Sequence, residues 1–261
     1  MRMLKRRWWM AGLPFVAGFF LFYVLPFGCS VWYSLIENAF SNRFVGLLNY
    51  EKVLSNPYYR LALFNTLKLI VLGVPALVLF SLFLALLVSG ISGRGGWVRA
   101  ALLLPLLLPS GALVPAFGKL EAISIQIPIY AMYIWKNAGF MMVLFMAALS
   151  AIPREVYEAA ALDGARGMGK FLSITLPQLT PAVFFVCVLA VAYNLRIFRE
   201  AYLLYGGYPD KSLYLMQHYM NNHFAKLNYQ NLTAGAMMFA ALIYLFIWAA
   251  FKLDRKLEYG Q

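Results

Sequence analysis

Long apolar runs nearly free of charge recur along this chain, and they constrain its fold more than any other feature. A helix that crosses a bilayer needs about 20 mostly apolar residues. Six stretches meet that requirement: roughly Trp8 to Tyr33, Thr66 to Ser89, Val98 to Phe117, Tyr130 to Ala151, Pro181 to Ile197 and Leu232 to Phe251. A soluble fold could not hide them. Of the 261 residues 63% are hydrophobic and 12% charged, against about half and about a quarter in ordinary globular domains. Lipid is therefore part of the solvent. The expected fold is all-α: a polytopic membrane protein with six transmembrane helices, forming a single domain over residues 1–261. The runs lack the alternation of a lipid-facing strand, which excludes a β-barrel.

The net charge is +12. No basic stripe interleaved with exposed aromatics accompanies it, so nucleic acid is not the expected partner. Cytoplasmic ends of membrane helices collect Lys and Arg and meet anionic lipid headgroups. With the N-terminus inside, the shorter, cytoplasmic segments hold Arg2, Lys5, Arg6, Arg7, Arg94, Arg99, Arg154, Arg166, Lys170, Lys252, Arg255 and Lys256, 12 of the 22 basic residues. That density places both termini in the cytoplasm, in agreement with an even number of spans. The start, MRMLKRRWW followed by a long aromatic-rich run, reads as a retained first helix rather than a cleaved leader. Lys68 and Lys136 lie near span ends and are expected to snorkel to the outer interface. Trp32, Tyr33, Tyr130, Tyr133 and Trp135 fit interfacial belts. Pro75, Pro105 and Pro109 fall inside spans, where neighbours must satisfy the freed carbonyls. Cys29 and Cys187 read as buried free thiols, with no disulfide or metal site.

The most informative segment lies between the fourth and fifth spans, residues 152–180. It is too long for a hairpin connector and too patterned for a linker. Pro153 suits a first helical turn, with Glu155 and Glu158 at the positive helix end. Ala159, Ala160, Ala161 and Leu162 propagate the helix, and Asp163-Gly164 stops it. A second short helix is expected from about Met168 to Thr175, ending before Pro177. Val156, Ala159, Ala160 and Phe171 form an apolar ridge with a charged rim, suited to docking a partner. The run Gly164-Ala165-Arg166-Gly167-Met168-Gly169-Lys170 has the spacing of a phosphate-binding loop. Phe171 stands where the magnesium-holding hydroxyl belongs, and a helical pattern precedes it rather than a strand, so nucleotide binding is not expected.

The same segment resembles the signature of permease subunits of binding-protein-dependent ABC importers: Glu-Ala-Ala, three residues, Gly, nine residues, Ile, one residue, Leu-Pro. Here Glu158, Ala159, Ala160, Gly164, Ile174, Leu176 and Pro177 match every position. The resemblance implies a type I importer permease fold and a coupling helix seated in a groove of a separate ATP-binding subunit. It also implies a second permease subunit, two ATP-binding subunits, an extracytoplasmic solute-binding protein, and an inner-membrane location. No cofactor is expected. Phe44-Val45-Gly46-Leu47-Leu48-Asn49-Tyr50, Phe64-Asn65-Thr66, Leu104-Pro105 and Ala148 to Pro153 resemble the carbohydrate branch. The tail from Lys252 is similar to the first permease of maltose- and glycerol-phosphate-type systems. The outer segment from Gly118 to Ile129 is shorter than that branch usually carries.

The spans hold no catalytic constellation, so the chain is expected to be a permease and not an enzyme. His218 and His223 are expected to be solvated or to face the binding protein, and Arg196, Arg199 and Glu200 lie at the outer end of the fifth span. Alternating access to a neutral polyol calls for hydrogen-bonding groups and aromatic faces, not charge; the candidates are Trp135, Asn137, Tyr193 and Asn194. Interhelical hydrogen bonding or interfacial anchoring is the plainer role for these four. Rival readings are an importer half for amino acids, phosphate or peptides, and a secondary transporter. The second needs acidic residues inside the spans, and the apparent span cores contain none.

Overall fold

The computed structural model describes residues 12–38, 40–91, 95–162 and 164–258. The basic cluster at Arg2, Lys5, Arg6 and Arg7, the start of the first run at Trp8, Arg94, Asp163 and the last three residues lie outside them. Helices account for nearly all the described chain. In order they are α1 (Gly12–Leu35), α2 (Leu48–Ser55), α3 (Pro57–Ser89), α4 (Gly95–Leu107), α5 (Ser110–Gly118), α6 (Ile127–Ala151) and α7 (Arg154–Leu162). Then come α8 (Gly167–Lys170, continuing through Phe171–Thr175 and Leu176–Asn194), α9 (Phe198–Tyr205), α10 (Met216–Ala225) and α11 (Tyr229–Glu258). The lone β-bridge among the described residues joins Ile36 to Phe44.

Among the described residues, five helices are long and apolar enough to cross a membrane, or six if one bent pair counts as a single span. That pair is the expected third span. It is two helices, Gly96–Leu107 and Ser110–Ala122, meeting at 94°. Pro109 takes extended dihedrals (φ −67°, ψ 138°) at the break, and its ring removes a helical donor. The fifth span is longer than expected. A helical run from Gly167 to Tyr205 replaces the stretch from Pro181 to Ile197.

The chain divides into two compact units, 1–60 with 219–243 and 61–218 with 244–261. In the first unit, the segment after α1 folds back on that helix's end. The Val45 amide donates to the Leu35 carbonyl at 2.8 Å. Gly46 turns the chain with a φ of +60°, a conformation that favours glycine. Buried Asn49 then donates to the carbonyls of Ser34 (3.0 Å) and Ile36 (2.7 Å), and the Ser34 and Tyr50 hydroxyls meet at 2.8 Å. The Phe44–Tyr50 motif thus caps the helix with groups that lipid cannot supply. Elsewhere in this unit Tyr59 and Tyr219 pack edge to face, centroids 5.3 Å apart. A Cβ at Gly235 would come within 3.2 Å of Tyr219 and 3.3 Å of Tyr59.

The second unit is held by small residues and by side-chain bonds to backbone. A Cβ at Gly73 would lie 3.2 Å from the Tyr133 ring and 3.3 Å from Asn194. The Tyr133 hydroxyl donates to the Ala190 carbonyl at 2.7 Å. Asn65 donates to the carbonyls of Lys211 (2.7 Å) and Tyr214 (3.0 Å), and Thr66 Oγ1 accepts from the Met216 amide at 2.9 Å. The Phe64-Asn65-Thr66 motif therefore ties α3 to the loop that starts α10. Cys29 is exposed on α1, against expectation, because no part of that helix's apolar window is covered by the chain; Cys187 is half-buried.

At Gly139 the α4 backbone passes so close that an added Cβ would overlap the Leu102 carbonyl. We expect Gly139→Val to abolish the monodisperse folded protein in detergent, read by fluorescence-detected size exclusion. Tyr133→Phe, which removes one hydrogen bond, should cost only about 1 kcal/mol.

Candidate functional site

Two places in the chain carry chemistry beyond packing. The first is the element between α6 and α8. Pro153 precedes α7 rather than entering it, and the Val156 amide donates to its carbonyl. At the C-terminal end the Ala165 amide reaches the Ala160 carbonyl at 2.9 Å, and the Gly164 amide reaches that of Ala161 at 3.2 Å. Gly164 has a φ of +80°. This is a helix closed by a glycine in the left-handed region, satisfying orphan carbonyls. Glu158 and Ala159 are exposed, whereas Ala160 is buried. The expected ridge is therefore divided: Val156 and Phe171 are half-buried, and the exposed apolar groups are Ala159, Leu162, Met168 and Leu172.

Pro177 does not end the second helix. Phe171–Thr175 form a wide π turn and the helix runs on from Leu176, whose amide bonds back to Phe171. A single π turn inserted in an α-helix widens the backbone just where the proline ring would otherwise meet the preceding turn's carbonyl. Ile174 lies in that turn, half-exposed; Leu176 and Pro177 are half-buried. The Tyr157 and Thr175 hydroxyls are 3.3 Å apart, and Lys170 Nζ lies 4.5 Å from the Tyr157 ring centre. The module is thus fastened directly to the base of a 39-residue helical run.

The second place is a cavity of about 450 Å³ in the 61–218 unit, lined by groups including Lys136, Asn137, Tyr193, Arg196, Arg199, Glu200 and Gln217. Lys136 does not snorkel. Its ammonium donates to Glu200 Oε1 at 2.7 Å and to Ser110 Oγ at 2.9 Å, and Ser110 donates to the same carboxylate oxygen at 2.6 Å. Glu200 is 4% exposed. Glu200, near the end of the Gly167–Tyr205 run, is thus a buried acidic group engaged in an ion pair. Asn137 and Tyr193 line the cavity. Trp135 does not; it is 40% exposed and packs on Phe117. Asn194 is buried and donates to the Leu69 carbonyl at 3.3 Å, an interhelical bond.

Neither histidine is freely solvated. His218 is fully buried, edge-on to Phe198, and its Nδ1 accepts from the Leu215 amide at 3.1 Å. Burial pushes its imidazole down to about 4, against a backbone hydrogen bond to Gly206 that raises it. Burial and the Lys226 charge also push His223 down. No group of three or more potential metal ligands occurs among the described residues.

The model of binding-protein-dependent transport system inner membrane components matches residues 43–259. The chain belongs to that family. It is 31% identical over 225 residues to the trehalose/maltose transport system permease protein MalF of Thermococcus litoralis, covering 76% of each chain. It is 28% identical over 273 residues to the sn-glycerol-3-phosphate transport system permease protein UgpA of Agrobacterium fabrum, covering 92% of each. A crystal structure of a bacterial ABC transporter involved in import of the acidic polysaccharide alginate shares the fold. Its TM-score is 0.82 at 20% identity, over 98% of both chains. The chain is thus a multi-pass inner-membrane permease subunit of an ABC importer. It works with ATP-binding subunits and a solute-binding protein, and ATP hydrolysis resides in the partner. The family motif was legible from sequence. The Lys136–Glu200–Ser110 cluster was not, because its members are isolated charges and a hydroxyl up to 90 residues apart.

Removing one charge of the pair leaves the other buried and unmatched. We expect Lys136→Met or Glu200→Ala each to cost about 3–5 kcal/mol in chemical unfolding monitored in detergent. The double variant Lys136→Met/Glu200→Met should recover much of the loss. For His218 the folded value lies below the unfolded one, so its stabilisation is present above about pH 6.5 and is lost toward pH 4. Wild type should lose on the order of 3 kcal/mol over that window beyond the loss seen in His218→Gln, measured by thermal melts across pH.

Proposed function

We propose that this chain forms one half of the translocation pathway of an ABC importer for a sugar or related polyol handed over by the binding protein. One permease domain over residues 1–261 crosses the membrane six times, with the bent α4–α5 pair as one crossing and both termini in the cytoplasm. A second, related permease subunit completes the pore, and two ATP-binding subunits drive it. The carbohydrate assignment is supported by the trehalose/maltose, sn-glycerol-3-phosphate and alginate systems to which the chain is similar.

The observation that carries this reading is the form taken by the family motif. Glu158 and Ala159 are presented outward on α7, Gly164 closes that helix, and Ile174, Leu176 and Pro177 root the element in the long α8 run. Residues 152–180 then act as a handle. Closure of the ATPase dimer pulls on α7, the rigid turn at Gly164 passes the displacement to α8, and the cavity lining moves with it. Energy enters as a difference in stability between inward- and outward-facing states. Asn137 and Tyr193 offer the cargo a hydrogen-bonding amide and an aromatic face. Trp135 and Asn194 support the path from behind.

Glu158→Lys places the wrong charge on a docking face, and Gly164→Asp puts a side chain where φ is positive. Each should insert normally and co-purify with the second permease subunit, yet reduce ATP-driven solute uptake by reconstituted vesicles at least about tenfold. Normal uptake by both variants would defeat the coupling assignment.

A further inference from the structure

The cavity is charged in a way that a neutral cargo does not need. Four ionised side chains line it: Lys136, Arg196, Arg199 and Glu200. The Glu200 carboxylate is already shared between Lys136 and Ser110 through one oxygen. Lys136–Glu200 is the one ion pair among the described residues, so neither arginine is neutralised. Arg196, in the Leu195–Ile197 turn, and Arg199, in the first turn of α9, both border this space. Arg196 is held over the Tyr193 ring, 5.2 Å from its centre, which orients the fork without satisfying its donors. Both arginines are exposed, so their charge stays at the open side of the cavity, where it raises the local concentration of anions. The remaining polar lining is neutral. Asn137 donates to the Tyr133 carbonyl and Gln217 to that of Leu195, which leaves both amide oxygens to accept from hydroxyl groups. The volume, about 450 Å³, lies within the usual range for a small-molecule site.

We propose that Arg196 and Arg199 make this cavity selective for a carbohydrate bearing an anionic group, a carboxylate or a phosphate, with the arginine forks on the anion and Asn137, Tyr193 and Gln217 on the hydroxyl-bearing body. This rests on the import reading above. Arginine rather than lysine suits the role, because its planar donors match carboxylate and phosphate oxygens two at a time.

The test uses the assembled permease–ATPase complex in phosphatidylcholine nanodiscs without the binding protein, so that neither that protein's selectivity nor anionic lipid enters. Calorimetry compares sn-glycerol 3-phosphate with glycerol, and digalacturonate with its neutral disaccharide counterpart. Whichever anionic arm binds identifies phosphate or carboxylate as the recognised group. Binding of that anion should be at least about tenfold tighter than binding of its neutral partner and should weaken as salt is raised. Arg196→Gln/Arg199→Gln should lose the preference, while Arg196→Lys/Arg199→Lys keeps part of it. Equal binding of charged and neutral members, a preference untouched by the Gln variant, or binding of neither anion would overturn the proposal. So would a Gln variant that loses docking of the binding protein and nothing else, because the arginines would then serve a protein surface. Uptake by the complete transporter separates this from the import reading. ATP-driven uptake of neutral carbohydrate, indifferent to both arginines, removes the anion selectivity alone. No ATP-driven uptake of any carbohydrate removes both.

Discussion

One buried cluster holds the centre of the larger unit together. Ser110 is the first residue after the Leu108–Pro109 break, Glu200 follows the Leu195–Ile197 break, and Lys136 lies within an unbroken helix. The Leu108–Pro109 break and the tightened turn at Leu195–Ile197 are therefore tied to one unbroken helix by a lysine, a carboxylate and a hydroxyl. A bilayer tolerates irregular backbone only where protein or a cavity surrounds it. A buried ion pair is stable only where its geometry and hydrogen bonds are complete. The two requirements are met at the same spot, beside the open cavity.

Around that cluster the helices approach closely through small residues. Gly73 faces Tyr133 and Asn194, and Gly139 faces the Leu102 carbonyl; in the other unit, Gly235 faces Tyr59 and Tyr219. With little hydrophobic gain between helices in lipid, such close contact and side-chain bonds to backbone carry association. Asn49, Asn65, Thr66 and Asn194 all spend their polar atoms on neighbouring backbone. Asn194 makes the interhelical bond that is the plainer role for a polar residue in a span.

The α7 element and the cavity share a single helical run. Its base carries Ile174, Leu176 and Pro177, and its far end carries Tyr193, Arg196 and Glu200. The run spans 39 residues, long enough at about 1.5 Å per residue to reach across a bilayer and beyond. The α7 element and the cavity wall are thus joined by one stretch of helix. The π turn and the Leu195–Ile197 break are the two points along that stretch where the helix departs from regular geometry, and bending concentrates at such points.

By itself the sequence determined what depends on local pattern. Apolar run length settled the all-α membrane class, and motif spacing marked the α7 element, its Gly164 stop and the family. It placed Asn137 and Tyr193 among the polar candidates, and both line the cavity. It misread Pro177, because a proline's effect depends on whether the preceding turn has widened, which no residue type announces. Only the tertiary structure decided which isolated charges meet, which histidine is buried and which polar residue faces open space. Lys136 and Glu200 are 64 residues apart, and in a medium that screens little their pairing is set by where two broken helices are packed, not by anything adjacent to either in the chain.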